Sequence, residues 1–228
     1  MLFDIRKMHL KSLGDFAREY IMIVVGILTA LGLEHVVTSR EHAKGAAESR
    51  ERIVAELRGN LADLRTSREE NLRQLKPLVA LADEVKRRLR AGEPGEKTAQ
   101  FIEEKSGGLQ VAYTVPGFRH EAWDVAVANQ SASYIDPAAL RRYSAAYAAE
   151  RDAVGVALAP AANLLNGPRT LDALLDVELR HTNPLEFLKV LGHLTAALNG
   201  AVANLAQTQK EIESALAGEA NASPEPTK

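Results

Sequence analysis

The chain contains no cysteine. That excludes a disulfide scaffold, thiolate-bound zinc, cysteine-held iron–sulfur clusters and a thiol nucleophile. It leaves the compartment open, because a chain without thiols suits any redox environment. Aromatic residues are scarce, at 5% of 228 residues with a single Trp. Neither charge sign is in excess: 28 Lys and Arg oppose 30 Asp and Glu, for a formal net charge of -2. Binding to nucleic acid through bulk positive charge is therefore not expected. The Gly-rich phosphate loop, the G-x-S-x-G elbow and the dinucleotide fingerprint are missing. His120-Glu121 opens like a zinc-protease helix, but Asp124 stands where the second histidine belongs. The sequence points to no catalytic residue, no metal ligand and no cofactor.

What is present is concealed by a bland mean hydropathy of -0.16. Tyr20 to Leu33 is free of charge, and the apolar character continues past Glu34-His35 to Val37. To Val37 the run is about 18 residues, against the roughly 20 that a helix needs to cross hydrocarbon. The first reading is a transmembrane helix, with snorkelling of Arg18 and Glu34 absorbing the mismatch. A cleaved signal peptide is the second, set back by a long charged lead and no nearby small-x-small site. A buried or interfacial helix is the third, although the segment is apolar nearly all round. Gly26, Ala30 and Glu34 recur at every fourth residue and share one face. Gly26-x-x-x-Ala30 lets a second helix approach closely, so this face is a candidate for helix association.

The flanks do not fix orientation. Arg6, Lys7, Lys11 and Arg18 precede the run, and Arg40, Lys44, Arg50 and Arg52 follow it, so the positive-inside rule has nothing to decide with. A short basic lead before a signal anchor favours a cytoplasmic N-terminus and a C-terminal domain across the membrane.

Beyond the anchor, Ile53, Leu57, Leu61, Leu64, Leu72, Leu75, Leu78, Leu81, Val85 and Leu89 trace an amphipathic helix. A polar turn is expected to interrupt this seam at Thr66–Glu70, and Pro77 to kink or divide the helix. No proline lies between Val37 and Lys76, so anchor and helix can form one rod. Ala91-Gly-Glu-Pro-Gly95 is a stop, and a short helix is expected over 97–105. Leu109 to Val115 reads as extended loop, and Phe118 to Ala128 as a helix. Asp136-Pro137 and Asn183-Pro184 are capped helix starts, with a short helix expected over 170–180 between them. From the second start, Leu188, Leu191, Thr195, Leu198, Val202, Leu205, Gln209, Ile212 and Leu216 form a heptad seam. It is expected to pair with the Ile53–Leu89 stripe within the chain, and pairing with another copy is the alternative.

These readings give an all-α chain: an N-terminal transmembrane helix followed by a helical bundle with long amphipathic helices. The divisions are a short lead at 1–19, the anchor at 20–37, the bundle at 38–217 and a disordered polar tail at 218–228. The densest polar-aromatic stretch holds Arg119, His120, Trp123, Asp124, Tyr143 and Tyr147, with Tyr134, Arg141 and Arg142 alongside. It reads either as a pocket for a small ligand or partner, or as aromatic packing with surface ion pairs.

Two stretches resemble an uncharacterised bacterial family of small proteins with one N-terminal transmembrane helix. One is Arg18-Glu-Tyr-Ile-Met-Ile-Val-Val-Gly-Ile-Leu-Thr-Ala-Leu31. The other is Ala122-Trp-Asp124 followed by Leu140-Arg-Arg-Tyr143 and Tyr147. The sequence departs from that pattern at Glu34-His35-Val36 and at Ser131-Ala132-Ser133. The resemblance implies the architecture and placement in the bacterial inner membrane, and it brings no catalytic residues. The expected function is a membrane-anchored structural or interaction protein, a scaffold or accessory subunit. Its partners would be the lipid bilayer and either its own copies or another membrane protein, with no nucleic acid. A ligand-binding sensor acting through a partner is the alternative.

Overall fold

A computed structural model describes residues 13–106, 112–165 and 167–220. Among the described residues there are six α-helices and no strand: α1 Leu13–Arg90, α2 Gly95–Ser106, α3 Glu121–Ala128, α4 Pro137–Leu165, α5 Pro168–Glu178 and α6 Pro184–Ala220. A 3-10 turn, Ser131–Tyr134, joins α3 to α4.

The dominant element is α1, 78 residues in one unbroken helix and roughly 117 Å long at 1.5 Å per residue. From Phe16 to Val37 its side chains lie almost wholly exposed. Tyr20, Ile21, Met22, Ile27, Leu28, Leu31 and Leu33 are all exposed, and the first buried residue is Ala46. This apolar segment is long and apolar enough to cross a membrane, and none of it is buried in the domain.

Two expected interruptions of α1 do not occur. Thr66–Glu70 is helical, because Ser67 and Asn71 take over the seam positions and are buried there. Pro77 does not divide the helix either. Its ring lies on the exposed face while Leu75 and Leu78 are buried on either side. The missing hydrogen bond is thus on the solvent side, and packing holds the turn. The helix ends at Gly92, whose φ of 71° is left-handed. Glu93 N–H bonds to Arg88 C=O, and Gly92 N–H to Leu89 C=O, the paired bonds of a Schellman stop.

In the second half, α6 runs antiparallel to α1 and to α4. Arg50 meets Glu219 at one end, while Leu75, Leu78 and Val85 pack with Phe187, Leu191 and Leu198 at the other. Thus the two long seams pair within the chain. Buried positions on α6 are Leu191, Leu198, Leu205 and Ile212, a row of period seven, with Phe187, Leu194, Val202, Thr208 and Ala215 beside it. Val202 stands where it was expected. The other four sit one residue before the expected Leu188, Thr195, Gln209 and Leu216, so Thr195 and Gln209 flank the seam rather than interrupt it. As expected, Asn183 Oδ1 caps α6 by accepting from Leu185 N–H and Glu186 N–H. Asp136 Oδ2 does the same for α4 through Ala139 N–H.

Two apolar clusters lie along this spine. The anchor-side cluster joins Ile53, Leu57, Leu61 and Leu64 to Tyr143, Tyr147 and Ile212. The distal cluster gathers Leu78, Val85, Ile102, Phe187 and Leu198. Helix α6 extends through Gly218 and Glu219, past the expected start of a tail. Residues 221–228 and 107–111 lie outside the described residues, as do the lead residues before Leu13. α3 begins at Glu121, three residues later than expected, because Phe118 and Arg119 belong to a non-helical strip held on α1 and His120 is the cap residue.

Candidate functional site

That strip, 112–120, places the candidate residues. Asn60 Nδ2 donates to Arg119 C=O at 2.8 Å, and Arg119 N–H returns a bond to Asn60 Oδ1 at 3.0 Å. Asn71 repeats the pattern with Thr114, at 2.8 Å in each direction. Gln74 Oε1 accepts from Ala112 N–H. Each asparagine amide thus acts as a short piece of neighbouring strand. The spacing matches: eleven helical residues at 1.5 Å and five extended residues at 3.3 Å both span roughly 16.5 Å. Pro116, buried between the two contacts, has no N–H to satisfy. A Cβ at Gly59 would meet only the end of the exposed Arg119 side chain, which is free to move aside.

The strip delivers His120 and α3 to a cluster on one face of α1 and α4. Glu56 and Asn60 are one turn apart on α1, and Tyr147 and Glu150 are one turn apart on α4. Tyr147 O–H donates to Glu56 Oε1 at 2.6 Å, and Ala122 N–H donates to Glu56 Oε2 at 3.0 Å. Helix α3 has no side-chain cap of its own, so Glu56 of α1 satisfies a first-turn amide in its place. Burial, then the Glu56 hydrogen bond, raises the Tyr147 hydroxyl pKa far above the usual tyrosine range, which keeps it a donor. Trp123 lies 5.3 Å and His120 5.8 Å from the Tyr147 ring.

Glu150 is the unusual member, a carboxyl with no solvent exposure. Asn60 Nδ2 is 3.1 Å from both its oxygens. His120 Nδ1 approaches Oε2 at 3.8 Å, beyond hydrogen-bond reach, and is itself buried without a partner. Burial pushes the Glu150 carboxyl up to about 7, with Asn60 opposing the rise and the Glu56 charge adding to it. The cluster can therefore take up or release a proton near neutrality. The Tyr147 hydroxyl beside Glu56 is held protonated by its burial. Among the described residues, no group of His, Asp and Glu converges as a metal site.

The structure thus brings His120, Trp123 and Tyr147 together, and it separates the other sequence candidates. Arg119 contributes its backbone, while its exposed guanidinium lies 3.9 Å from Asp63. Asp124 is exposed and acts on Tyr147 through its charge alone. Tyr143 belongs to a second polar group near the end of α6. Its hydroxyl donates to Glu219 Oε1 at 2.5 Å, Arg50 Nε donates to Oε2 at 2.6 Å, and Arg142 lies at 3.7 Å. Gly26, Ala30 and Glu34 are exposed on the free half of α1, and nothing lies within 4 Å of a Cβ built on Gly26.

Sequence reasoning missed Glu56, Asn60, Asn71, Glu150 and Glu219. One signal was available: Asn60 occupies the inward step between Leu57 and Leu64, where a polar residue needs a buried partner. A recess of about 570 Å³ opens elsewhere, between α2 and the α5–α6 junction beside Glu96, Glu103, Arg180 and His181.

No protein-family model matches the chain. Comparison with curated proteins and with solved structures likewise returns no match.

Proposed function

We propose that this chain is a single-pass membrane protein whose helical domain serves as a scaffold or accessory subunit, holding a partner or its own copies at a set height above the bilayer. One observation carries the reading: the apolar segment of α1, exposed along its length, continues without a break into the helix that organises the core. An apolar helix of that length left in water is costly, at roughly 25 cal/mol per Å² of apolar surface. A bilayer removes the cost. A continuous helix also transmits position, since the domain cannot swing independently of the span. In this reading the N-terminus lies in the cytoplasm and the domain on the outer side of a bacterial inner membrane. The face of Gly26, Ala30 and Glu34 is the proposed contact within the membrane.

The test is expression of the full chain, followed by alkaline extraction, crosslinking in native membranes and mass spectrometry of co-purifying proteins. The expected result is a chain that resists extraction and gives discrete crosslinked species. Release by alkali refutes the anchor, and a clean monomer with no partner refutes the scaffold.

A further inference from the structure

The distance between the domain and the apolar segment can be counted along α1. His42 is five residues beyond Val37, roughly 7.5 Å along the axis. Its ring stacks on Tyr134, with centroids 3.9 Å apart and planes 20° from parallel. The headgroup layer on each side of a bilayer is itself roughly 5 to 8 Å deep. If the apolar half of α1 spans a membrane, as proposed above, Tyr134 therefore falls within that layer.

The turn that carries Tyr134 is fixed at this height. Ser131 Oγ and Ser49 Oγ of α1 share a buried hydrogen bond of 2.7 Å. Ala132 and Ile135 are buried in the anchor-side core. Ser133 and Tyr134 turn outward, Tyr134 with 51% of its surface exposed. A tyrosine with an apolar ring and a polar tip suits the boundary between headgroups and hydrocarbon. The span leaves no slack: Tyr20 to Val37 covers roughly 27 Å, against about 30 Å of hydrocarbon. Accommodating that mismatch draws the bilayer and the residues after Val37 together. Arg40 and Lys44 are exposed at the same level and suit lipid phosphates. Glu41 and Asp136 are exposed there too, so charge does not select the lipid.

We infer that the Ser131–Tyr134 turn is a lipid-contacting foot, with Tyr134, backed by His42, bedded among phospholipid headgroups on the domain side. This rests on the membrane reading, and one experiment separates the two. Because the chain has no cysteine, one introduced thiol gives one labelled position. The full chain is labelled with a fluorophore at Leu28→Cys, Ser133→Cys or Leu175→Cys and placed in phosphatidylcholine nanodiscs. Some discs carry a nitroxide on the lipid headgroup and others carry one deep in the acyl chain. The expected result is strong acyl-chain quenching at position 28. At position 133, headgroup quenching should be at least threefold that at 175, and adding Tyr134→Ser should halve it without loss of helicity. No quenching at 28 overturns the anchor and the foot with it. Quenching at 28 with positions 133 and 175 alike overturns the foot alone. Quenching at 133 that is indifferent to Tyr134→Ser also overturns it.

Discussion

Asn60 and Arg119 exchange two hydrogen bonds, one in each direction, across 59 positions of sequence. The side chain of a helical residue satisfies both backbone groups of a residue in extended conformation. The same amide also donates to the buried Glu150. Asn60→Ala leaves three polar groups without partners and should cost about 3 kcal/mol, since each unsatisfied buried group costs roughly 1 to 3. Asn60→Asp should cost more, because it turns a donor into a charge facing Glu150. Denaturant unfolding of the full chain in detergent, followed by Trp123 fluorescence, measures both. A loss below 1 kcal/mol for Asn60→Ala contradicts the assignment.

Glu150 makes stability depend on pH. Its carboxyl rises from 4.5 to about 7 on folding, so between those values the folded chain holds a proton that the unfolded chain has released. The contribution is complete below pH 4.5 and is lost as pH rises through 7. Its size is on the order of 3 kcal/mol, at 1.36 kcal/mol per pKa unit. Glu150→Gln keeps an acceptor for Asn60 and removes the charge. The variant should be more stable than the parent at pH 8, with the difference shrinking towards pH 5. Unfolding midpoints at pH 5, 6, 7 and 8 report this, and a pH-independent difference contradicts it.

The register of α6 is tested by a pair of neighbours. Leu194 is 5% exposed and lies in the seam, whereas Thr195 flanks it and bonds its own helix at Leu191 C=O. Leu194→Ala should cost about 2 to 5 kcal/mol, and Thr195→Ala less than about 1 kcal/mol. Equal losses would return the seam to the other register.

Gly26→Leu meets no neighbour within the chain, so helicity and unfolding should not change. If the small-residue face associates chains in the bilayer, crosslinked oligomers should fall severalfold. An unchanged oligomer distribution removes Gly26 from any interface.

The architecture was legible where the signal is local. Apolar spacing gave α1 and α6 their long seams, Gly92 its stop, and Asp136 and Asn183 their caps, because each depends on a few adjacent residues. Thr66–Glu70 reads as a break, since a polar residue such as Ser67 in a seam looks like an interruption, and the Asn71 that follows shows its role only once its partner is known. Asn71's partner lies 43 positions away, at Thr114. The one-residue shift on α6 has a similar cause. Leu194 and Thr195 are adjacent, and the choice between them depends on α1 and α4 rather than on α6 alone. In the candidate site, His120, Trp123 and Tyr147 stood out by residue type. Glu56 and Glu150 did not, because a glutamate on a charged helix ordinarily faces water.

The unbroken course of α1 also sets a compass direction. At 3.6 residues per turn, Ala46 and Leu64 point the same way, since eighteen residues complete about five turns. Gly26 and Ala30 lie twenty and sixteen residues before Ala46, which places each roughly 160° round the helix from it, about 20° to either side of the opposite pole. The small-residue face therefore looks away from the side on which the domain hangs. Two chains meeting through it would stand back to back, with their domains pointing outward and clear of each other. Any partner shared between them would have to bridge two outward-facing bodies.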